Sequence, residues 1–138
     1  MGWFAWALLS AVFAALTAIL AKVGVKEIDP DLATAIRTAV ILVLTWAIAF
    51  ARSTQPISEV SRKTWLFLVL SGLATGASWL CYFRALRLGE ASKVAPVDKL
   101  SVVFVMLLAA LLLGEQLTWK HVVGGGLVVS GVILLARA

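Results

Sequence analysis

The third apolar segment of the chain carries four hydroxyl side chains at helical spacing. They are Ser71, Thr75, Ser78 and Tyr82, separated by steps of four, three and four residues, with Trp79 beside them. This spacing places the four hydroxyls on one face of a helix, here called the hydroxyl face. Such a face can hydrogen-bond a polar solute. The alternative is that the hydroxyls bond the carbonyl one turn back or join neighbouring helices.

Two other apolar segments repeat the pattern, with Ser10 seven residues before Thr17 and Thr38 seven residues before Thr45. Polar groups inside a bilayer face the interior of a helix bundle, so polar faces on three helices predict a path for a solute between them. The predicted path residues are Ser71, Thr75, Ser78, Trp79, Tyr82, Thr17 and Thr38.

Four charged residues lie several residues inside the ends of the apolar segments, namely Arg37, Arg84, Asp98 and Lys99. At a rise of about 1.5 Å per residue, all four are roughly 6–9 Å below the same membrane surface. Arg84 and Asp98 are at matching depth and can pair, and the excess of cations suits an anionic group. The alternative is that the long basic side chains extend to lipid headgroups while Asp98 neutralises one of them.

The elements that must position these residues are five apolar segments, at about 3–21, 32–51, 64–86, 93–113 and 119–136. Each has close to the roughly 20 residues that cross a bilayer as a helix. The chain is 62% hydrophobic and 14% charged, well below the roughly 25% charged residues of soluble domains. The sequence therefore predicts an all-α integral membrane protein, with residues 1–138 forming one bundle of five transmembrane helices.

Local signals mark the ends of these helices. Gly89 and Gly114 suit a left-handed residue after the third and fourth helices, and Pro96 falls in the first turn of the fourth, where its missing N–H costs least. The expected N-caps, which accept the first free N–H groups of a helix, are Asp31, Ser61, Ser92 and Thr118.

The residue pattern does not support catalysis, because it contains no nucleophile–base pair, phosphate-binding loop or cofactor motif. His121 has no second ligand residue at metal-binding spacing. We therefore expect no enzyme activity, no cofactor and no metal. The net charge of +5 is carried by basic residues near helix ends, where lipid phosphates rather than nucleic acid are the expected counterions.

A longer pattern resembles the EamA module of the drug/metabolite transporter superfamily. It comprises the run from Ala85 to Ser101, the sequence Leu-Leu-Gly-Glu at 112–115, and the glycine-rich stretch 124–131. Most members carry two such modules of inverted topology in ten helices, whereas this sequence has one. The resemblance implies a half-size transporter of small organic metabolites that works by alternating access. It also implies a multi-pass protein of the inner (plasma) membrane, paired as an antiparallel homodimer or with another half-size subunit.

Two other functions remain open at this point. Half-size relatives in this superfamily serve in lipid-linked-sugar flippases, so the chain can be a flippase subunit. It can also be a scaffold that transports nothing. For the dimer, the small residues Gly126 and Ser130 on the fifth helix predict a helix-contact face, because small residues four apart let two helices approach closely.

Overall fold

The computed structural model describes residues 2–52 and 55–137, and these ranges form helices connected by short loops. A single 3₁₀ turn, Ile57–Glu59, lies between the second and third helices. The helices are α1 Trp3–Gly24, α2 Pro30–Arg52, α3 Arg62–Leu88, α4 Ala91–Asp98, α5 Ser101–Leu112 and α6 Trp119–Arg137. Because α4 and α5 follow each other as one apolar stretch, five segments are long and apolar enough to cross a membrane. The predicted all-α membrane fold is confirmed.

The first turn of α2 is capped by a different acid from the predicted one. Asp29 Oδ1 accepts the N–H of Asp31 at 2.9 Å and the N–H of Leu32 at 3.2 Å. Pro30 then occupies the first helical position, where no N–H is needed. The prediction of Asp31 as the N-cap is therefore wrong by two residues, and its carboxylate is left for another partner.

The starts of α3 and α6 are both closed by side chains. Ser61 Oγ accepts the N–H of Thr64 at 3.1 Å, which confirms its predicted capping role. At α6, His121 Nδ1 lies 3.1 Å from the N–H of Thr118 and 2.9 Å from its hydroxyl. The histidine thus reaches back to the residue before the helix, as the fourth residue of a capping box does.

Of the two glycines predicted to be left-handed, the structure confirms one. Gly114 has φ +68°, and among the described glycines it alone has a positive φ, so the prediction for Gly89 is wrong. α4 begins directly after Glu90, whose extended backbone (φ −72°, ψ 140°) precedes the helix. Ser92 consequently lies inside α4 and does not cap it.

The fourth span is interrupted where the sequence predicts one continuous helix. Lys99 N–H bonds the carbonyl of Pro96 and Leu100 N–H bonds that of Val97, both at 3.0 Å and three residues back. Pro96 lies inside α4 and has no N–H to donate one turn back, to Ser92. The helix has fewer bonds holding its α-helical spacing here, and it tightens to 3₁₀ geometry before α5 begins.

The chain divides into two compact units, Leu20–Arg87 and Met1–Ile19 with Leu88–Ala138. In the first, here called the α2–α3 unit, the buried side chains are Val25, Ala33, Thr34, Phe83 and Leu86. Thr34 is the polar member of this set, and its hydroxyl donates to the carbonyl of Pro30 at 2.8 Å. Burying it therefore leaves no unsatisfied hydroxyl.

In the second unit, here called the α4–α6 unit, both α4 and α5 pack against α6. Gly125 and Val132 are the buried residues of α6. A Cβ placed on Gly125 would lie 2.9 Å from Cε of Met106 on α5. The glycine therefore lets α6 lie directly against the Met106 side chain, and a larger residue would require the end of that side chain to move.

Candidate functional site

Arg37 lies between two aromatic rings in the α2–α3 unit. Its guanidinium carbon is 4.2 Å from the centroid of the Trp79 ring and 5.5 Å from that of Phe83. Both distances are within the range of cation–π attraction, about 0.5–2 kcal/mol according to exposure. Arg37 and Trp79 are half-buried and Phe83 is buried. The arginine of α2 is therefore held by the aromatic residues of α3.

A salt bridge connects the same two helices nearer their ends. Arg84 Nη2 donates to Asp31 Oδ2 at 2.7 Å, and both side chains are about half exposed. The predicted pairing of Arg84 with Asp98 is therefore wrong. The signal for Asp31 was available in the sequence, because two acids flank Pro30 and a helix start needs only one of them as its cap.

The salt bridge also shows how deep Arg37 lies. Arg37 is six residues beyond Asp31 along α2, and Trp79 is five residues before Arg84 along α3. At about 1.5 Å per residue, both Cα atoms are roughly 8–9 Å farther along the helices than the salt bridge. The guanidinium is nearer the deep Trp79 ring than the ring of Phe83, which adjoins Arg84. Arg37 therefore stays at the level of Trp79 instead of extending to the end of the helix.

Two basic side chains hold the end of α3 in place. Lys22 Nζ donates to the carbonyl of Leu86 at 2.6 Å, and Arg87 Nη1 donates to the carbonyl of Ile28. The last carbonyls of a helix have no partner within it, and a lysine bonding one of them is a common solution. Leu86 and Val25 are fully buried beside these contacts, so this end of the unit is firmly packed.

The other two residues of the predicted charged cluster pair with each other. Lys99 Nζ donates to Asp98 Oδ2 at 3.1 Å, at the break between α4 and α5. Arg84 is paired with Asp31, so Arg37 is the remaining charged residue of the cluster. Across residues 2–52 and 55–137, no carboxylate lies within ion-pair distance of Arg37. It is the member of the cluster whose charge has no counterpart there.

The hydroxyl face of α3 has both bonded and unbonded members. Ser71, Thr75 and Ser78 are exposed, whereas Tyr82 is half-buried beside Trp79. Thr75 donates to the carbonyl of Ser71 at 2.9 Å, which is the alternative considered from the sequence. The hydroxyls of Ser71 and Ser78 have no hydrogen-bond partner in the part of the chain that the structure describes. The predicted role of this face in a solute path stays a prediction.

The polar residues of α1 and α2 that the sequence aligns with the path also differ in their hydrogen bonding and burial. On α2, Thr38 donates to the carbonyl of Thr34 at 2.7 Å and Thr45 donates to that of Ile41 at 2.8 Å. Both hydroxyls are thus satisfied by their own helix. Thr17 on α1 is half-buried. The two threonines of α2 therefore contribute fewer free hydrogen-bonding groups than the sequence pattern suggests.

The α4–α6 unit contains an apolar groove of about 290 Å³. Val103, Met106 and Leu107 of α5 line one side, and α6 residues including Val122 line the other. His121 is its main polar lining residue, and the ring nitrogen Nδ1 is already engaged by Thr118. The groove offers little to a charged or polar solute, in contrast to the surroundings of Arg37.

These features define a multi-pass helical membrane protein with polar and charged groups inside its spanning segments. The chain matches the model of the EamA-like transporter family over residues 1–137. It belongs to that family, as its resemblance to the EamA module predicts. The family is one of transporters, in agreement with the expectation of transport.

Three relatives set this membership in context. The chain is 57% identical over 135 residues to a Sinorhizobium protein named "Uncharacterized transporter in cobO 3'region", covering 97% of this chain and 96% of the relative. It is 35% identical over 86 residues to the Pseudomonas fluorescens "Probable 4-amino-4-deoxy-L-arabinose-phosphoundecaprenol flippase subunit ArnE". This match covers 60% of this chain and 73% of the relative. The Pseudomonas aeruginosa protein of the same name is 35% identical to this chain over 77 residues. This match covers 56% of this chain and 65% of the relative. No solved structure matches the chain.

Proposed function

We propose that the chain transports a small organic metabolite across the inner membrane, as a dimer and by alternating access. The observation that carries this proposal is the hydroxyl face of α3. Ser71 and Ser78 present exposed hydroxyls without a partner in the described ranges. Lipid tails cannot hydrogen-bond them, and an unpaired polar group in hydrocarbon is costly. We therefore expect water, a solute or a second chain at this surface.

The glycines of the spanning helices support a dimer. A Cβ added at Gly72, Gly76 or Gly126 would meet no atom of the described residues within 4 Å, in contrast to Gly125. Close packing within the described part of the chain therefore does not require glycine at these positions. Gly72 with Gly76, and Gly126 with Ser130, form steps of four residues that suit contact with another helix. An antiparallel second copy packed along α6 would complete a path that one module leaves open, as inverted repeats do in transporters.

Reconstituted vesicles test the transport proposal directly. Proteoliposomes are incubated with a mixture of amino acids, sugar phosphates and organic acids, and the compounds that accumulate are identified by mass spectrometry. We expect at least one compound to accumulate above protein-free vesicles. Ser78→Leu, which puts a bulky apolar side chain on the hydroxyl face, should lower its uptake at least tenfold. Ala77→Leu is the matched control, because it adds a leucine one residue away on another face of α3.

The outcomes separate the possibilities. Uptake by Ser78→Leu equal to that of wild type would show that the face does not line the path. Loss of uptake in both variants would trace the effect to helix packing. Circular dichroism and size-exclusion chromatography confirm that each variant is folded and of the same assembly size.

A second candidate is supported by the likeness to the flippase subunits. It predicts that the transported molecule is a sugar linked to a polyprenyl phosphate, and that the partner is another half-size subunit. Mass spectrometry of lipids copurifying with the protein, together with the sidedness of a polyprenyl-phosphate sugar in proteoliposomes, distinguishes this candidate. Lipid translocation without accumulation of any soluble compound would favour it. A chain that moves neither class of molecule would be the scaffold considered from the sequence.

A further inference from the structure

We propose that Arg37 binds the anionic group, a carboxylate or a phosphate, of the transported solute. The inference rests on the proposed transport function and specifies the chemical class of its substrate. Trp79 and Phe83 position the guanidinium in this site, and the hydroxyl face contacts the rest of the solute.

The charges of the α2–α3 unit leave Arg37 available. The carboxylates of the α2–α3 unit are those of Glu27, Asp29, Asp31 and Glu59. Asp31 is taken by Arg84 and Asp29 by the start of α2, and none of the four lies at ion-pair distance from Arg37. A charge inside a membrane span is costly unless something compensates it. An anion arriving with the solute supplies that compensation.

The hydrogen-bonding capacity of Arg37 is also unused. Its guanidinium has five N–H donors, and within residues 2–52 and 55–137 none of them makes a hydrogen bond. Trp79 and Phe83 provide ring surfaces, which attract the charge but accept no conventional hydrogen bond. A carboxylate or phosphate can take two parallel N–H bonds from one edge of a guanidinium. The site therefore has the donors that such a group requires.

The depth of Arg37 favours a solute over a lipid headgroup. Its Cα is roughly 9 Å farther along α2 than Asp31, where the salt bridge with Arg84 holds the end of the helix pair. The contact with Trp79 keeps the guanidinium at this level. A phosphate in the headgroup layer would meet Arg84 or Arg87 before Arg37. A small solute that enters between the helices can reach it.

The neighbouring groups indicate what else the solute carries. Ser78 adjoins Trp79 in the sequence, and Tyr82 lies one turn from it on the same face of α3. The hydroxyl of Ser78, which has no partner in the described ranges, donates and accepts hydrogen bonds. A small organic anion with a polar substituent several ångströms from its charge fits this arrangement better than a purely aliphatic acid.

Binding measurements with defined probes test the site in the purified full-length protein. Thermal unfolding is followed in an uncharged detergent with benzoate, with benzamide as its neutral isostere, with inorganic phosphate, and with mixed micelles containing phosphatidylglycerol. We expect benzoate or phosphate to raise the unfolding temperature by several degrees and benzamide to have no effect. Titration of the shift gives an apparent Kd for each probe.

Variants assign the binding to the residue. Arg37→Gln should weaken anion binding at least tenfold. Arg37→Lys keeps the positive charge but loses the pair of parallel N–H donors, so it should weaken binding less. Arg52→Gln, at the other end of α2, is the matched control and should bind as wild type does. Trp79→Phe keeps an aromatic ring and should weaken binding only a few-fold, so the test does not depend on one variant that fails to fold.

Equal shifts with benzoate and benzamide, or unchanged anion binding in Arg37→Gln, would overturn the proposal. So would an Arg37-dependent shift with phosphatidylglycerol alone, since the anion would then be a lipid headgroup. The transport assay keeps the two proposals distinguishable. Uptake of a neutral compound that Arg37→Gln leaves unchanged would refute the anion site and retain transport. Arg37-dependent binding of benzoate without uptake of any compound would retain the site and refute its role in transport.

Discussion

The salt bridge between Arg84 and Asp31 gives a quantitative prediction about the pairing of α2 with α3. The two side chains meet at 2.7 Å and are 60% and 49% exposed. Exposed ion pairs in water contribute about 0.2–1 kcal/mol, because solvent screens them. The contact is a single N–H···O bond between exposed side chains, so we expect a small coupling, within the range of such surface pairs. Removing either partner alone should lower the stability by a similarly small amount.

A double-mutant cycle measures this coupling. The single variants Asp31→Ala and Arg84→Ala and the double variant are compared by reversible unfolding in mixed micelles, and the coupling is the departure from additivity. Raising the salt concentration should reduce it. The same cycle with Asp98→Ala in place of Asp31→Ala is the matched control, because Asp98 is paired with Lys99. We expect that second cycle to be additive.

Either of two results would refute this reasoning. Additivity between Asp31 and Arg84 would mean that the pair adds nothing to stability. Coupling of Arg84 to Asp98 but not to Asp31 would restore the pairing that matching depths suggested. Asp31→Asn keeps the size of the side chain and removes its charge, so it shows that a measured loss comes from the ion pair rather than from altered packing.

Two further predictions concern the α4–α6 unit and the assembly. Gly125→Leu should lower the unfolding temperature by several degrees, because a leucine side chain must fit where Met106 and Val103 of α5 already contact this buried position. Gly124→Leu is the control, because a Cβ at Gly124 would meet no atom of the described residues within 4 Å. Unchanged stability in Gly125→Leu would contradict the close contact of α5 with α6. In an otherwise cysteine-free chain, Ser58→Cys between α2 and α3 should react with a membrane-impermeant thiol reagent from both sides of the membrane, as an antiparallel dimer requires. Labelling from one side only would rule out dual topology.

The spans could be predicted because bilayer thickness sets one length for every crossing helix, and that length is visible as apolar runs. Gly114 could be predicted for a similarly local reason, since the end of a helix often requires a left-handed residue. Asp29 and Asp31 show where local reasoning stops. Both are good N-cap residues on either side of Pro30, and which of them caps is decided by where the helix begins. A shift of two residues changed the role of both.

Partner choice was harder to predict than position. The depths of Arg84 and Asp98 were read from their distance to helix ends, but Asp31 lies within reach of Arg84 as well. Depth restricts a partner to a layer of the membrane without saying which helix supplies it. The interruption after Pro96 was missed for a different reason. A proline in the first turn of a helix is harmless, and the predicted start at 93 placed it there, whereas α4 begins at Ala91.

The break in the fourth span has a mechanical consequence. A helix bends most easily where its α-helical hydrogen bonding is interrupted, which here is the turn at Lys99–Leu100. Here the segments before and after the turn both rest on α6, which is continuous from Trp119 to Arg137. The two segments are therefore supported by the same neighbouring helix across the interruption. Loosening the packing on α6 should make the turn at Lys99–Leu100 more flexible.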